Sequence, residues 1–246
     1  MTALELAVQD VRGAQTALAV GAARVELCAA LGATGGLTPS IGLIEAVVAV
    51  GVPVHVLIRP RAGGFVYAAD EMAVIRRDAR AAVAAGASGI VIGALTETSA
   101  IDVDALRSVI ECVDPSVVEV TAHRAIDVVP DRRAALDILV NLDVTRVLTS
   151  GGAPTCAEGL AELGALVDHA ARRIQIMAGG GVRIGDIAAV AATGVDAIHL
   201  SARTIVEGSG GPGGGSGGYE VTDREMALSA ASALDIHGHP TIGWSI

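Results

Sequence analysis

Short apolar runs alternate along the chain with longer segments in which apolar residues recur at helical spacing. Each run follows a glycine or another turn residue, and successive runs lie roughly 30 residues apart, the size of one strand–helix unit. The runs predict eight strands, within residues 4–8, 21–27, 51–56, 86–92, 114–120, 142–148, 171–177 and 194–200. Eight such alternations predict an α/β fold, a single closed (β/α)8 TIM barrel.

The segments between the runs predict the helices. Apolar residues at positions i, i+3, i+4 and i+7 predict amphipathic helices over 41–50, 73–84 and 134–142. A last helix is predicted over 222–234, with Thr222 and Glu225 at the spacing of a capping box. The Gly/Ser-rich stretch 208–218 before it is either a flexible loop over the barrel mouth or a tolerated insertion. We expect one domain over residues 1–246, with a tail over 235–246.

Composition narrows the choice of partner. Apolar residues make up 52% of the chain and aromatic residues 2%, so Ala, Val, Leu and Ile must fill the core. A net charge of −10 without a basic cluster argues against nucleic acid or an anionic membrane as the partner. We expect a small molecule instead. Self-association through the helix-covered outside of the barrel stays open. No apolar stretch is long enough to span a bilayer, and the N-terminus lacks the basic segment followed by an apolar segment that is typical of a signal peptide. These features predict a cytoplasmic location.

Two features of the composition limit the chemistry. All 17 basic side chains are arginine, so the chain cannot form a Schiff base through a lysine amine, and lysine-dependent aldolases and pyridoxal phosphate enzymes are excluded. The three cysteines, Cys28, Cys112 and Cys156, lie far apart and lack C-x-x-C spacing. We therefore expect no disulfide framework and no zinc site built from cysteine pairs.

Polar residues lie within several predicted strands and directly after them. In a barrel of this type the C-terminal ends of the strands and the loops after them form the functional site. Because side chains alternate between the two faces of a strand, residues two apart share a face. The polar sets that share a face are Glu26 with Cys28, His55 with Arg59 and Arg61, Glu119 with Thr121 and His123, and His199 with Ser201.

Glu5 and Glu26 lie in the middle of otherwise apolar strands. A carboxylate inside a barrel is costly unless it is paired, and Arg59 and Arg61 are the expected partners. One interpretation is that these groups form buried ion pairs that hold the barrel together. The other is that a partly desolvated carboxylate near His123 acts as a general acid or base.

Two further motifs follow strands. Asp127 lies close enough to His123 in sequence to orient its imidazole as a base or metal ligand. The alternative is that both side chains only form hydrogen bonds within the loop. His199 is either a core histidine or part of the site. The turn with Gly179, Gly180 and Gly181 leads toward a predicted helix, and exposed N–H groups there can hold an anion. Ser150 and Ser201 are further candidate anion contacts. His237 and His239 are either solvated residues or two ligands of a weak metal site.

Several joined motifs, in order from strand 1 to strand 8, resemble the CutC family. They are Arg24-Val-Glu-Leu-Cys, Gly35-Gly-Leu-Thr-Pro-Ser, Ile58-Arg-Pro-Arg, His123-Arg-Ala-Ile-Asp, Arg146-Val-Leu-Thr-Ser-Gly and Met177-Ala-Gly-Gly-Gly-Val. The resemblance implies a cytosolic TIM barrel assigned to copper homeostasis and to binding of Cu(I). Because Cu(I) prefers sulfur ligands, Cys28 is the candidate ligand that the resemblance implies. Family members often carry a second cysteine near the end of strand 1, where this chain has Ala7.

Two functional hypotheses follow. The first is a Cu(I)-binding protein centred on Cys28, with help from His55 or His123, and copper(I) as its cofactor. The second is a lysine-independent isomerase, lyase or hydrolase acting on a small anionic, sugar-like or phosphorylated substrate. The residues of the second hypothesis are Glu5, Glu26, His123 and Asp127 for proton transfer, and Arg59, Arg61, Ser150, Gly179, Gly180, Gly181 and Ser201 for binding.

Overall fold

The computed structural model describes residues 2–208, 211 and 217–236, and it contains a closed barrel of eight parallel strands. Strand β1 pairs with both β2 and β8, which closes the barrel in sequence order and confirms the predicted TIM fold. The strands are β1 Ala3–Val8, β2 Arg24–Leu27, β3 Val54–Leu57, β4 Gly89–Ile92, β5 Glu119–Ala122, β6 Arg146–Thr149, β7 Gln175–Gly179 and β8 Ala197–Leu200.

Helices cover the outside of the barrel. The predicted helices over 41–50, 73–84 and 134–142 correspond to α3, α4 and α6. Helix α4 begins earlier than the apolar pattern indicated, because the side chain of Glu71 accepts a hydrogen bond from Ala68 N–H and supports a first turn of polar residues. The helices are α1 Val11–Ala19, α2 Leu31–Thr34, α3 Ile41–Val48, α4 Ala69–Ala84, α5 Val103–Ile110, α6 Arg132–Asn141, α7 Leu160–Ala170, α8 Ile187–Ala191 and α9 Arg224–Ala233.

A hairpin that the sequence pattern did not predict follows β8. Strands β9 (Arg203–Glu207) and β10 (Gly218–Thr222) pair antiparallel on either side of the Gly/Ser-rich stretch. Residues 209, 210 and 212–216 of that stretch lie outside the described residues. The predicted capping box is wrong: Thr222 pairs with Arg203 in the hairpin, and Asp223 caps α9 by accepting from Met226 N–H at 2.8 Å.

Strand alternation divides the barrel into an apolar exterior and a polar interior. Leu4, Leu6 and Val8 of β1 are buried in the main apolar core between the strands and the helices. The side chains that point inward are largely polar, and ten polar or charged residues are buried there or at the strand ends. They are Glu5, Arg24, Glu26, His55, Arg59, Thr121, His123, Arg146, Thr149 and Ser150. Such groups are costly to bury, so their arrangement is informative.

None of the helices in the described ranges combines the length and the apolar character needed to cross a lipid bilayer.

Candidate active site

The barrel interior carries a row of three ionisable groups drawn from neighbouring strands. Glu5 of β1 lies beside Arg24 of β2 and His199 of β8 in the strand register. Its carboxylate pairs with Arg24 Nε on one side and lies 2.7 Å from His199 Nδ1 on the other. The opposite ring nitrogen, Nε2, is 3.5 Å from the carboxylate of Glu26. The row therefore runs from Glu5 through the imidazole to Glu26.

Burial and neighbouring charges give the two carboxyl groups opposite properties. Burial alone would raise the pKa of Glu5, but the hydrogen bond with His199 and the charge of Arg24 lower it to about 2. Burial raises the pKa of Glu26 to about 7, with a further increase from Glu5 and a partial offset from His199. For His199, burial opposes protonation, but Glu26 and Glu5 raise the pKa overall. Glu26 is thus the group that exchanges protons near neutral pH.

A second polar cluster lies at the N-terminal end of the barrel. Arg146 is almost fully buried and donates to Glu119 at 2.8 Å, Gln175 at 2.9 Å and Thr121 at 3.2 Å. His55 lies 3.5 Å from Glu119, in space that Gly89 leaves free. This cluster faces away from the strand ends where barrels build their sites, so we assign it to stability.

The C-terminal mouth of the barrel holds a cavity of about 480 Å³, a size typical of small-molecule sites. Its charged lining comprises one carboxyl group, Glu26, and three guanidinium groups, Arg59, Arg124 and Arg203. The remaining lining residues are Leu31, Thr34, Gly35, Leu57, Phe65, His123, Leu148, Gly180, Gly181, Val182, His199, Leu200 and Ser201. The cavity lining is therefore richer in arginine than the chain as a whole, whose net charge is −10.

His123 lines this cavity and carries a hydrogen-bond donor that has no partner among the described residues. Its Nδ1 accepts from Ala125 N–H at 3.2 Å, which in the neutral ring leaves the proton on Nε2. Burial and the charge of Arg59 lower the pKa of His123 to about 4, so the ring is neutral at pH 7. Nε2 is buried and has no partner among the described residues. A buried donor without a partner, on a residue that lines a cavity, requires an explanation, and a ligand oxygen that reaches it on binding is one.

Gly93 and Phe65 fix the ring of His123. A Cβ atom at Gly93 would stand 2.2 Å from Cε1 of the imidazole, so only glycine leaves room for the ring. Phe65 packs on it with ring centroids 4.7 Å apart. The ring orientation therefore depends on Gly93, directly after β4, and on Phe65 in the loop after β3.

Backbone carbonyls hold Arg59 in the cavity wall. Its NH1 donates to the carbonyl oxygens of Thr34 and Gly36, both at 2.9 Å, and its NH2 donates to Gly63 at 2.8 Å. Nε of Arg59 has no partner, and within the described residues no carboxylate pairs with this guanidinium. Arg59 thus contributes uncompensated positive charge to the mouth.

Several sequence-based expectations need correction. Arg59 and Arg61 do not pair with Glu5 and Glu26, because the barrel register brings Arg24 and His199 to those carboxylates. Arg61 lies outside the cavity, where it pairs with Glu71 and stacks on Tyr67.

Asp127 does not orient His123. It accepts hydrogen bonds from Arg124 Nε at 2.8 Å and from the backbone N–H groups of Ser150 and Gly152 at 3.1 Å. Ser150 in turn accepts from Arg124 NH2 at 2.9 Å. Asp127 and Ser150 therefore position Arg124, a cavity residue that we did not select from the sequence.

The glycines of the turn after β7 have two different roles, one in packing and one in lining the cavity. Gly179 leaves space for Leu148 and His199, since a Cβ there would stand 2.4 Å from Leu148 Cδ1. Gly180 and Gly181 line the cavity, as does Ser201 after β8. The turn does not lead directly into a helix N-terminus as expected. It is followed by the short 3-10 turn Ile184–Asp186 and then by the five-residue helix α8. An anion there would depend on backbone N–H groups and side chains.

Cys28 does not fit the Cu(I) site that the family resemblance implied. It is fully buried, packs with Leu57 and Val91, and does not line the cavity. Burial raises the pKa of its thiol, whereas a copper ligand must be a thiolate. The thioether of Met177 lies 3.2 Å from Arg24 NH2. Over the ranges that the structure describes, no group of three or more His, Cys, Asp or Glu residues could hold a metal ion. His237 and His239 lie outside those ranges.

The pKa of Glu26 predicts an unusual pH dependence of stability. Folding raises this pKa from 4.5 to about 7, so the stability that Glu26 contributes is present below pH 4.5 and lost as the pH rises through 7. Glu26→Gln imitates the protonated form. We expect the variant to match the wild type near pH 4.5 and to exceed it at pH 8 by up to about 3 kcal/mol. Urea unfolding at both pH values measures this, and equal differences at both would contradict it.

Sequence reasoning missed Arg124, Arg203 and Phe65 as cavity residues. Arg203 lies in β9, a strand that the apolar pattern did not show, and Phe65 lies in the loop after β3. Arg24 carried a usable signal, because it and Glu26 stand two apart in a short strand and must both point inward. A pair of opposite charges on the inner face of a strand indicates a polar barrel interior.

Comparisons with known proteins agree with this architecture. The model of the CutC family matches residues 2–204. A family protein CutC from Caulobacter vibrioides is 45% identical over 207 residues, which cover 84% of this chain and 83% of that protein. A crystal structure of a candidate copper homeostasis protein CutC from Streptococcus agalactiae is 33% identical with a TM-score of 0.76, covering 81% of this chain and 98% of that one.

A more distant structure shares the fold alone. Thiamine phosphate pyrophosphorylase from Pyrococcus furiosus is 14% identical with a TM-score of 0.60 and covers 95% of each chain. The family match ends at residue 204, before most of the β9–β10 hairpin and all of α9. The extent of the family match and the identity to its members establish that this chain belongs to the CutC family.

Proposed function

We propose that the barrel mouth is an acid–base active site for a small anionic metabolite. The observation that carries the proposal is Glu26, a buried carboxyl group with a pKa of about 7, set between His199 and an open cavity. Groups with such values near the operating pH serve best as general acids or bases. Structural ion pairs also shift pKa values, but Glu26 has no arginine partner among the described residues.

The charges of the cavity support an anionic ligand. Arg59 is uncompensated, Arg124 and Arg203 each share one carboxylate, and Glu26, with a pKa of about 7, carries only part of a full negative charge at pH 7. A cavity with surplus positive charge attracts anions and discriminates against cations. The absence of lysine from the chain excludes a Schiff base formed through a lysine amine, which leaves lysine-independent isomerase, lyase or hydrolase chemistry.

The arrangement is suited to proton transfer at a carbon next to a carbonyl group. In this scheme the ionised Glu26 takes the proton from the carbon, and the electron pair left behind moves to the carbonyl oxygen. His123 Nε2–H donates to that oxygen as its negative charge develops. In a hydroxy-carbonyl compound the proton then returns to the former carbonyl carbon, while the hydroxyl proton on the first carbon passes to the former carbonyl oxygen. The product is the isomeric hydroxy-carbonyl compound, so atoms and electrons balance without a cofactor. His199, which is itself bonded to Glu5, contacts the carboxyl group of Glu26 and positions it.

An unbiased assay tests this proposal. The purified protein is incubated with a bacterial metabolite extract in D2O, and mass spectrometry follows compounds that disappear, appear or gain deuterium. We expect at least one anionic metabolite to change with the wild type and not with Glu26→Gln. Extracts that show no change with the wild type, or the same changes with both proteins, would contradict an acid–base function.

The copper assignment of the family makes a separate prediction. Because Cys28 is buried and its thiol stays protonated, we expect the reduced protein to bind Cu(I) only weakly. Competition against a chelator of known Cu(I) affinity measures the binding, with Cys28→Ser beside the wild type and Cys112→Ser as the control for a more accessible thiol. Tight stoichiometric binding that Cys28→Ser abolishes would show that the site opens in solution and that copper is a ligand.

A further inference from the structure

We infer that the anionic end of the ligand is a phosphate group held between Arg124 and the turn 180–182. This inference rests on the proposed function and names the class of its substrate, a small phosphate monoester. It assigns a binding role to Arg124, which the CutC resemblance did not supply.

Arg124 is held in place with part of its guanidinium free. Nε donates to Asp127 at 2.8 Å and NH2 donates to Ser150 Oγ at 2.9 Å. NH1 donates no hydrogen bond within the described part of the chain. Asp127 is in turn fixed by Thr149, Ser150 and Gly152. The rotamer of Arg124 is therefore set before a ligand arrives, and ordering it costs little on binding.

The turn after β7 is shaped around this guanidinium. Gly180 has φ +120°, and a Cβ atom there would stand 2.7 Å from Cζ and 2.8 Å from NH1 of Arg124. Glycine is thus needed both for the backbone conformation and for the close approach of Arg124. Among the described residues, the backbone N–H groups of Gly180, Gly181 and Val182 donate no hydrogen bond. Gly180, Gly181, Val182 and Arg124 all line the cavity.

This set of donors favours phosphate over carboxylate. A carboxylate is planar and offers two oxygens, whereas a phosphate monoester offers three terminal oxygens in a tetrahedral arrangement and up to two negative charges. Consecutive N–H groups of a turn together with a guanidinium approach the anion from different directions. Loops after the seventh and eighth strands are where barrels of this type often hold phosphate groups. Ser201, after β8, also lines the cavity.

Other lining residues of the cavity define the rest of the ligand. Glu26 lies in β2, and Arg59 and His123 follow β3 and β5, whereas the turn follows β7. A ligand with its phosphate at the turn extends toward a proton-transfer group and two oxygen-binding donors. A short phosphorylated hydroxy-carbonyl compound matches this distribution of charge and donors.

Inorganic phosphate is the probe for the experiment. Calorimetric titration of the full chain at pH 7.5 gives the Kd, and 15N–1H spectra of the labelled protein locate the site by the shifts of amides 180–182. We expect Arg124→Gln to weaken phosphate binding by about tenfold or more, since a charge-assisted hydrogen bond contributes at least that much. Arg133→Gln, on the outside of the barrel and half exposed, removes the same charge and should change the Kd less than twofold.

Each outcome decides the inference. Amide shifts at 180–182 with selective loss in Arg124→Gln would support it. Equal weakening by both variants, shifts elsewhere, or acetate that binds as tightly as phosphate would overturn it. Conversion in the metabolite extract that depends on Glu26 but involves no phosphorylated compound would overturn this inference and leave the proposed function standing. Phosphate binding at the turn without any conversion would overturn the proposed function alone.

Discussion

Glu26→Gln is expected to lower kcat by about 100-fold to 10,000-fold on the metabolite that the extract assay identifies, which is the usual contribution of a general acid–base group. The substitution preserves the size of the side chain and removes its ability to exchange a proton. Because the glutamine imitates the protonated carboxyl group, we expect KM to change little. A loss confined to kcat is the mark of an interaction made in the transition state.

The pH profile provides the second readout for Glu26. The wild-type kcat/KM should rise with pH through about 7 and then level off, because the ionised carboxylate is the base. Residual activity of Glu26→Gln should lack this rise. Stability measured at pH 8 serves as the folding control, since the variant should be more stable than the wild type there. A variant that keeps a tenth or more of the wild-type kcat would contradict the role of Glu26.

Arg24→Met is expected to lower the free energy of unfolding by about 3–5 kcal/mol, the cost of leaving a buried charge without its partner. Glu5 is fully buried, and its pKa of about 2 keeps it ionised at neutral pH. Arg24 provides one of its two charged contacts, and His199 provides the other. Removal of Arg24 leaves one negative charge in the barrel interior, supported by the imidazole alone. Urea unfolding at pH 7.5 measures the loss.

A double variant separates the lost charge from the lost packing. Arg24→Met combined with Glu5→Gln removes both charges and should recover much of the stability, because neutral groups cost less to bury. Arg107→Gln is the control, since its pair with Asp104 is exposed and should contribute less than about 1 kcal/mol. If the double variant is as unstable as Arg24→Met, the shape of Arg24 and not its charge supports the barrel.

The distribution of polar residues on strand faces was predictable from the sequence, but their pairing was not. Alternation placed Glu5, Glu26, His123 and His199 on inner faces, because side chains of a strand point to opposite sides in turn. Alternation does not fix how far neighbouring strands are shifted. In the closed barrel that shift sets Glu5 level with Arg24 and His199, whereas the sequence favoured Arg59 and Arg61 as partners.

The roles of Asp127 and Ser150 also depended on the folded loops. Both lie at strand ends, where the sequence indicated a site, but their contacts run to Arg124. The 3-10 turn Arg124–Val128 turns the Asp127 carboxylate away from His123 and toward the loop after β6. Sequence separation alone, four residues in this case, cannot distinguish these two geometries.

The sequence by itself determined the eightfold barrel, the family and the lack of lysine chemistry, and it predicted the ends of the strands as the place of the site. These follow from local periodicity, composition and joined motifs, which need no knowledge of long-range contacts. Only the tertiary structure decided that Cys28 is sealed in the core, that His123 keeps a free donor and that Glu26 titrates near neutral pH. Burial and pairing depend on residues distant in the chain, and the electrostatic environment of each group exists only once the barrel has closed.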